Sequence, residues 1–228
     1  METPGSTRRP TRVALSDEVY EILLGKLVDG TVAADSVLNI DALARELGVS
    51  GTPVREALAR LEATGLVQRV AHRGYRVAPL FTADELAQLM DARYVLEPAL
   101  AELMTPRCTP ELLATLSGSI DDLRDAPRGA TFAGFAAYWR ADELFHQVIA
   151  QNCGNQFLLR AYQALGGQIQ RFRLFEGLGV TDAEAAVAEH TAVLTAIGKS
   201  DATAARDAMA AHIAGVRERA LADRRQLE

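Results

Sequence analysis

The first apolar stripe falls at Leu15, Val19, Ile22, Leu23 and Leu27, the three-and-four spacing of one helix face, and Gly30 ends it. Ser16 stands just inside its start as a candidate N-cap. "NIDALARELGVS" repeats the pattern over a shorter length, with Leu43, Ala44 and Leu47 inward. Gly48 then supplies a turn, because a left-handed backbone costs glycine nothing. A third helix follows, capped by either Ser50 or Thr52, and both choices put Pro53 in the first turn, where its missing N–H does no harm. Val54, Ala57, Leu58 and Leu61 mark its inner face. After "TGLV" the period changes. "VQRVAHRGYRVAPL" alternates around Arg73-Gly74 and predicts a two-stranded hairpin. Helix, helix, turn, helix, hairpin is a winged helix-turn-helix over residues 12–79, behind a loose polar arm at 1–11.

From Phe81 onward the period stays helical. Amphipathic segments are expected near 82–105, 109–125, 129–152, 154–178, 181–198 and 200–226. "TADEL", "TPELL" and "TDAEA" each read as a capped start with acids in the first turn. The predicted fold class is therefore mainly α, with a C-terminal antiparallel all-helical bundle over 82–226 and "VAPLFT" as the junction. Pro98, directly after Glu97, predicts a kink in the first bundle helix.

Composition narrows the setting. The 228 residues suffice for two modest cores, and no apolar run approaches a membrane span or a signal peptide, so a cytoplasmic protein is expected. Cys108 and Cys153 lie far apart without CxxC spacing and read as free thiols of a reducing compartment. The net charge of −6 speaks against nucleic acid only until it is located. Acids and bases balance over residues 1–80, and the whole excess lies beyond them. Between 51 and 80, Arg55, Arg60, Arg69, Arg73 and Arg76 face only Glu56 and Glu62. A locally basic tip on an acidic body can bind DNA, because screening confines charge effects to about 10 Å.

Chemistry concentrates in the helical half. Asp142 and His146, at i and i+4 in "RADELFHQVIA", share one helix face, and His190 and His212 lie on two further helices. Three facing helices can converge these four side chains on one divalent ion, with Zn²⁺, Ni²⁺, Mn²⁺ and Fe²⁺ all compatible with nitrogen and carboxylate donors. The alternative is three separate histidines, each with an ordinary hydrogen bond. Arg93, Arg171 and Arg173 interrupt otherwise core-facing segments, and an arginine near a metal is suited to grip a carboxylate through two parallel bonds. The alternative there is an internal ion pair, such as Arg93 with Glu97.

These residues resemble a known family. "LARELGVSGTPVREALARLEATGLV" with "HRGYRVAPL" is similar to the DNA-binding domain of GntR-type bacterial regulators. Arg93 and Glu97, the "D…FH" of Asp142, Phe145 and His146, His190 after Glu189, and His212 resemble the FadR-like branch with its helical FCD effector domain. The resemblance implies a homodimer on an inverted-repeat, double-stranded DNA operator. It also implies a metal held by Asp142, His146, His190 and His212, with a small carboxylate effector near Arg93. On the DNA side, Arg55 is the candidate guanine contact, worth about 1–3 kcal/mol of discrimination. Arg45, Ser50 and Thr52 would hold phosphates, while His72, Arg73 and Gly74 would place the hairpin tip in the minor groove. Two positions depart from the family: Gly51 stands where relatives commonly carry an arginine, and Asp41 where several do. A changed operator preference is the expectation. Three other readings stay open: a metal-dependent helical-bundle enzyme, a sensor of the ion itself, and a purely structural metal. Against the enzyme, neither Glu143 nor Glu189 is expected to sit beside the tetrad as a general base.

Overall fold

The computed structural model describes residues 12–70, 74–129, 131–172, 180 and 182–226, and the chain divides into two compact units, Met1–Pro79 and Leu80–Glu228.

In the first unit, α1 (Arg12–Val28), α2 (Ile40–Leu47) and α3 (Gly51–Ala63) pack beside strands β1 (Val37–Leu38), β2 (Val67–Val70) and β3 (Gly74–Val77). Asn39 caps α2 through the Ala42 N–H at 2.9 Å, and Gly48 ends that helix in the left-handed region at φ 66°. Ser50 holds the cap position of α3 but makes no side-chain cap bond, and Pro53 lies buried in the first turn. Val54, Ala57, Leu58 and Leu61 are fully buried against Val19, Leu23 and Leu27 of α1. Truncating one such leucine to alanine costs about 2–5 kcal/mol.

Three local expectations need correction. The wing has three antiparallel strands in the order β1-β3-β2, not two, with Leu38 opposite Tyr75 and Arg69 opposite Tyr75 on the other side. Two residues of strand are too few to alternate visibly. Ser16 does not cap α1, which begins at Arg12, and is instead buried inside it. Ile22 faces outward, and Leu24 takes the inner place.

The second unit is a helical bundle: α4 (Ala83–Met104), a 3₁₀ turn (Thr105–Arg107), α5 (Pro110–Asp125), α6 (Phe132–Gln151), α7 (Gln156–Phe172), α8 (Ala183–Gly198) and α9 (Ala202–Gln226). These match the expected segments to within a few residues, except that the expected end of α7 at 178 lies outside the described residues. Thr82 and Glu85 form a reciprocal capping box on α4, and Thr109 caps α5 through the Leu112 N–H. "TDAEA" behaves differently. Asp182 occupies the cap position of α8 without a cap bond, because its carboxylate accepts from the Tyr138 hydroxyl at 3.3 Å and from Arg219 Nε at 3.1 Å. The helix α4 runs on through Pro98, which has no N–H to offer the Tyr94 carbonyl four residues back.

Leu100, Met104, Leu116, Phe145, Ile149, Val193, Ile197, Met209 and Ile213 form the main core between α4, α5, α6, α8 and α9. Among the described residues no helix is long and apolar enough to cross a membrane.

Candidate metal centre and DNA-binding elements

Asp142 and His146 lie one turn apart on α6, His190 on the middle of α8 and His212 on α9. All four are buried, the histidines at 4%, 0% and 1% exposure. A polar group this deep must have partners, and here three ring nitrogens turn toward one point. His212 Nε2 lies 3.2 Å from His146 Nε2 and 3.3 Å from His190 Nε2. Asp142 Oδ1 stands 3.7 Å from His190 Nε2, beside the triad rather than within it. The Phe145 ring stacks on His190 at 4.2 Å and keeps the imidazole from rotating.

The outer nitrogens decide what the inner ones present. Glu97 Oε2 lies 2.7 Å from His146 Nδ1, and Glu189 Oε2 lies 2.8 Å from His212 Nδ1. A carboxylate only accepts, so the His212 Nδ1 carries the hydrogen and its Nε2 turns a lone pair inward, and a hydrogen on His146 Nδ1 would do the same for His146. Lone pairs facing each other at 3.2 Å repel unless a cation lies between them. A divalent ion about 2.0–2.1 Å from each nitrogen sets tetrahedral neighbours about 3.3–3.4 Å apart, close to the separations present. The donor set fits a first-row divalent metal.

Each of those carboxylates is gripped by an arginine. Arg93 Nε donates to Glu97 Oε1 at 2.6 Å, and Arg219 takes both oxygens of Glu189 at 2.8 Å. Burial alone would raise the Glu97 carboxyl, but Arg93 and His146 hold it well below the usual carboxylate range. Burial would raise Glu189 too, and hydrogen bonds from His212 and Arg219 bring it down to about 2. Burial pushes the His212 imidazole below its ordinary value, against the pull of Glu189, the direction a metal ligand needs. The roles of Glu97 and Glu189 are not apparent from sequence spacing, although Arg93–Glu97 is visible as an i, i+4 pair. The one signal for Glu189 is Arg219, seven residues beyond His212 on the same face of α9.

A small cleft of about 20 Å³, room for little more than one water, lies beside the triad, lined by Arg93, Trp139, Asp142, Glu143, His146, Tyr162 and Gly166. Of the three expected effector arginines, Arg93 reaches the cleft with its guanidinium already engaged by Glu97. Arg171 lies on α7, its side chain outside the described residues, and Arg173 lies outside them altogether.

On the first unit, Arg45, Ser50, Thr52 and Arg55 are exposed around the α2–α3 turn. Arg45 Nε donates to the Asp41 carbonyl at 3.2 Å. A Cβ at Gly51 would meet Arg55 Nη1 at 3.3 Å, so the bare glycine lets the Arg55 guanidinium fold back across the start of α3. Gly74 opens β3 at φ 84°, while His72 and Arg73 lie outside the described residues. The basic tip is less free than its composition suggests. Arg60 is held by Asp17 at 2.6 Å over the Tyr20 ring, and Arg76 by Asp35 at 2.9 Å.

A helix-turn-helix with a small wing is a DNA-binding head, and here it is followed by a separate helical unit that buries a histidine cluster. The family model for bacterial regulatory proteins of the gntR family matches residues 15–77, and the FCD domain model matches residues 88–215. The chain belongs to the GntR family of bacterial transcriptional regulators, in its FCD-containing, FadR-like branch. It is 27% identical over 209 residues to a probable D-xylose utilization operon transcriptional repressor of Paenarthrobacter nicotinovorans, covering 92% of this chain and 90% of that one. It is also 27% identical over 199 residues to the HTH-type transcriptional repressor GlaR of Escherichia coli K12, covering 85% and 90%. Among solved structures, E. coli McbR/YncC shares the fold at a TM-score of 0.70 and 22% identity, over 90% of this chain and 96% of that one. The relatives are regulators, not enzymes, and the enzyme reading falls with them.

Proposed function

We propose that this protein is a ligand-responsive repressor that acts in the cytoplasm as a homodimer on a double-stranded DNA operator. It senses a small organic acid at a divalent metal held by Asp142, His146, His190 and His212. The observation that carries this reading is the convergence of three buried Nε2 atoms, at 3.2 and 3.3 Å, beside a cleft. Zn²⁺, Ni²⁺, Mn²⁺ and Fe²⁺ all accept such donors, and the ion, when bound, supplies a Lewis-acidic position for a carboxylate oxygen. Two relatives named as repressors support the direction of control. Exposed Tyr94 and Val95 on α4 support a second copy as partner, because a 77%-exposed valine gains by being covered.

Arg93 supplies the cleft with positive charge. Its Nη1 neighbours the Met90 sulfur at 3.9 Å, a weak acceptor that an incoming carboxylate outcompetes. Arg171, on the helix that carries Tyr162 and Gly166 of the cleft wall, and Arg173 are proposed as further effector contacts. Arg45, Ser50, Thr52, Arg55, His72, Arg73 and Gly74 make the DNA contacts. Gly51 and Asp41 shift operator preference away from that of the family. An effector acts only to the extent that its affinity differs between the DNA-competent and DNA-released arrangements.

The test is fluorescence anisotropy on DNA from the gene's own upstream region, at two salt concentrations. A panel of small carboxylic acids is then added to the metal-loaded protein. Tight, salt-steep binding that one acid releases, and only with metal present, is the expected result. Release by metal alone makes the ion itself the signal. Binding that ignores every acid bound at the metal refutes the proposal.

A further inference from the structure

Glycine in the middle of a helix weakens it relative to alanine, so Gly215 inside α9 calls for a reason. Conformation is not the reason, since the residue lies within regular helix. Space is. A Cβ there would come within 2.8 Å of Glu189 Oε1 and 2.9 Å of Arg219 Nη1, closer than carbon approaches such atoms. Both atoms are the ends of flexible side chains, but the two are bonded to each other, so a Cβ there must move the pair as a whole or break it. His212, Gly215 and Arg219 follow at three- and four-residue spacing on one face of α9, and that face turns to α8, where Glu189 lies. Arg219 continues to Asp182 at 3.1 Å. None of these residues lines the cleft.

We propose that Glu189 and Arg219, seated in the gap at Gly215 and anchored by Asp182, are positioning residues for the metal ligand His212. They fix its Nδ1–H and aim its Nε2. The proposal rests on the metal-site reading above and extends it. Metal affinity is then set from two sides, by Arg93–Glu97 behind His146 at the cleft and by Arg219–Glu189 behind His212 away from it. Only the first pair is shared with the effector.

The experiment uses the full chain, stripped of metal, with Zn²⁺ titrated in competition with a chromophoric chelator. Wild type, H146A, E189Q, R219K and G215A are compared, with the circular dichroism of each metal-free protein as the check on folding. The ¹⁵N resonance of the His212 Nδ1–H is followed alongside. Wild type takes up one Zn²⁺ per chain and H146A loses it. E189Q and G215A bind about 10–100-fold more weakly, the range for lost outer-shell partners. R219K keeps the charge without the two-pronged grip and falls between. The His212 resonance moves in E189Q and G215A, while the helical signal does not. Wild-type Zn²⁺ affinity and an unmoved resonance in both E189Q and G215A overturn the proposal and leave the metal reading intact. Failure of the wild type itself to take up Zn²⁺ overturns the metal reading and this proposal together.

Discussion

Removing Arg93 alone should harm the metal-free protein more than removing the pair it belongs to. Arg93 and Glu97 are only 2% and 3% exposed, joined at 2.6 Å within one helix. Breaking such a pair by deleting one partner costs about 3–5 kcal/mol, because the remaining charge stays buried without its counter-ion. His146 Nδ1 still lies 2.7 Å from Glu97 Oε2 in Arg93→Met, so the low end of that range applies. For a unit of this size, about 3 kcal/mol corresponds to a melting shift of roughly 6–12 °C. In Arg93→Met/Glu97→Gln no charge is stranded, and the glutamine carbonyl can still accept from His146. The double variant should recover at least half of the loss. Urea unfolding in the presence of a chelator measures this, followed through Trp139, the one tryptophan of the sequence. Its emission reports the helical unit alone, which avoids treating a two-unit chain as a single transition. A single variant as stable as wild type, or a double variant less stable than the single, would refute the reasoning.

Further outcomes follow from other parts of the molecule. Arg55→Ala should weaken specific operator binding about 10–100-fold and relax the preference at the base pair it contacts, read by anisotropy. Gly51→Arg brings a Cβ to 3.3 Å from the Arg55 guanidinium, so it should displace that side chain and change the preferred operator in a binding-site selection. An unchanged preference would count against the role given to Gly51. Gly48→Ala places a Cβ in a left-handed backbone at φ 66° and should cost about 1–2 kcal/mol in the first unit, seen in its thermal transition. Thr82→Ala removes the α4 capping box and should cost about 1 kcal/mol in urea unfolding of the helical unit.

The architecture was largely legible because its signals are local and agree with one another. Gly48, Pro53 and the stripe of Val54, Ala57, Leu58 and Leu61 name the helix-turn-helix without any long-range information. The three histidines could be foreseen to meet, because each lies on an apolar helix face in a bundle. Less was legible where a role depends on a partner distant in sequence. Val37 and Leu38 are a strand only because β3 offers an edge, and Asp182 looks like an ordinary cap until Arg219 and Tyr138 claim its carboxylate. By helix spacing alone, Glu189 points away from the tetrad. Its work is at the outer nitrogen of His212, 23 residues on, which no spacing rule on one helix reveals. Asp142 was weighted equally with the histidines, whereas the structure draws the three rings together and leaves the carboxylate at 3.7 Å.

That Asp142, His146, His190 and His212 hold a divalent ion is tested most directly by anomalous diffraction from crystals grown with Zn²⁺. The account predicts one peak per chain, about 2.0–2.1 Å from all three Nε2 atoms, and its loss in His190→Ala. Crystals with no peak between the three rings, or with Zn²⁺ bound only elsewhere, would contradict it.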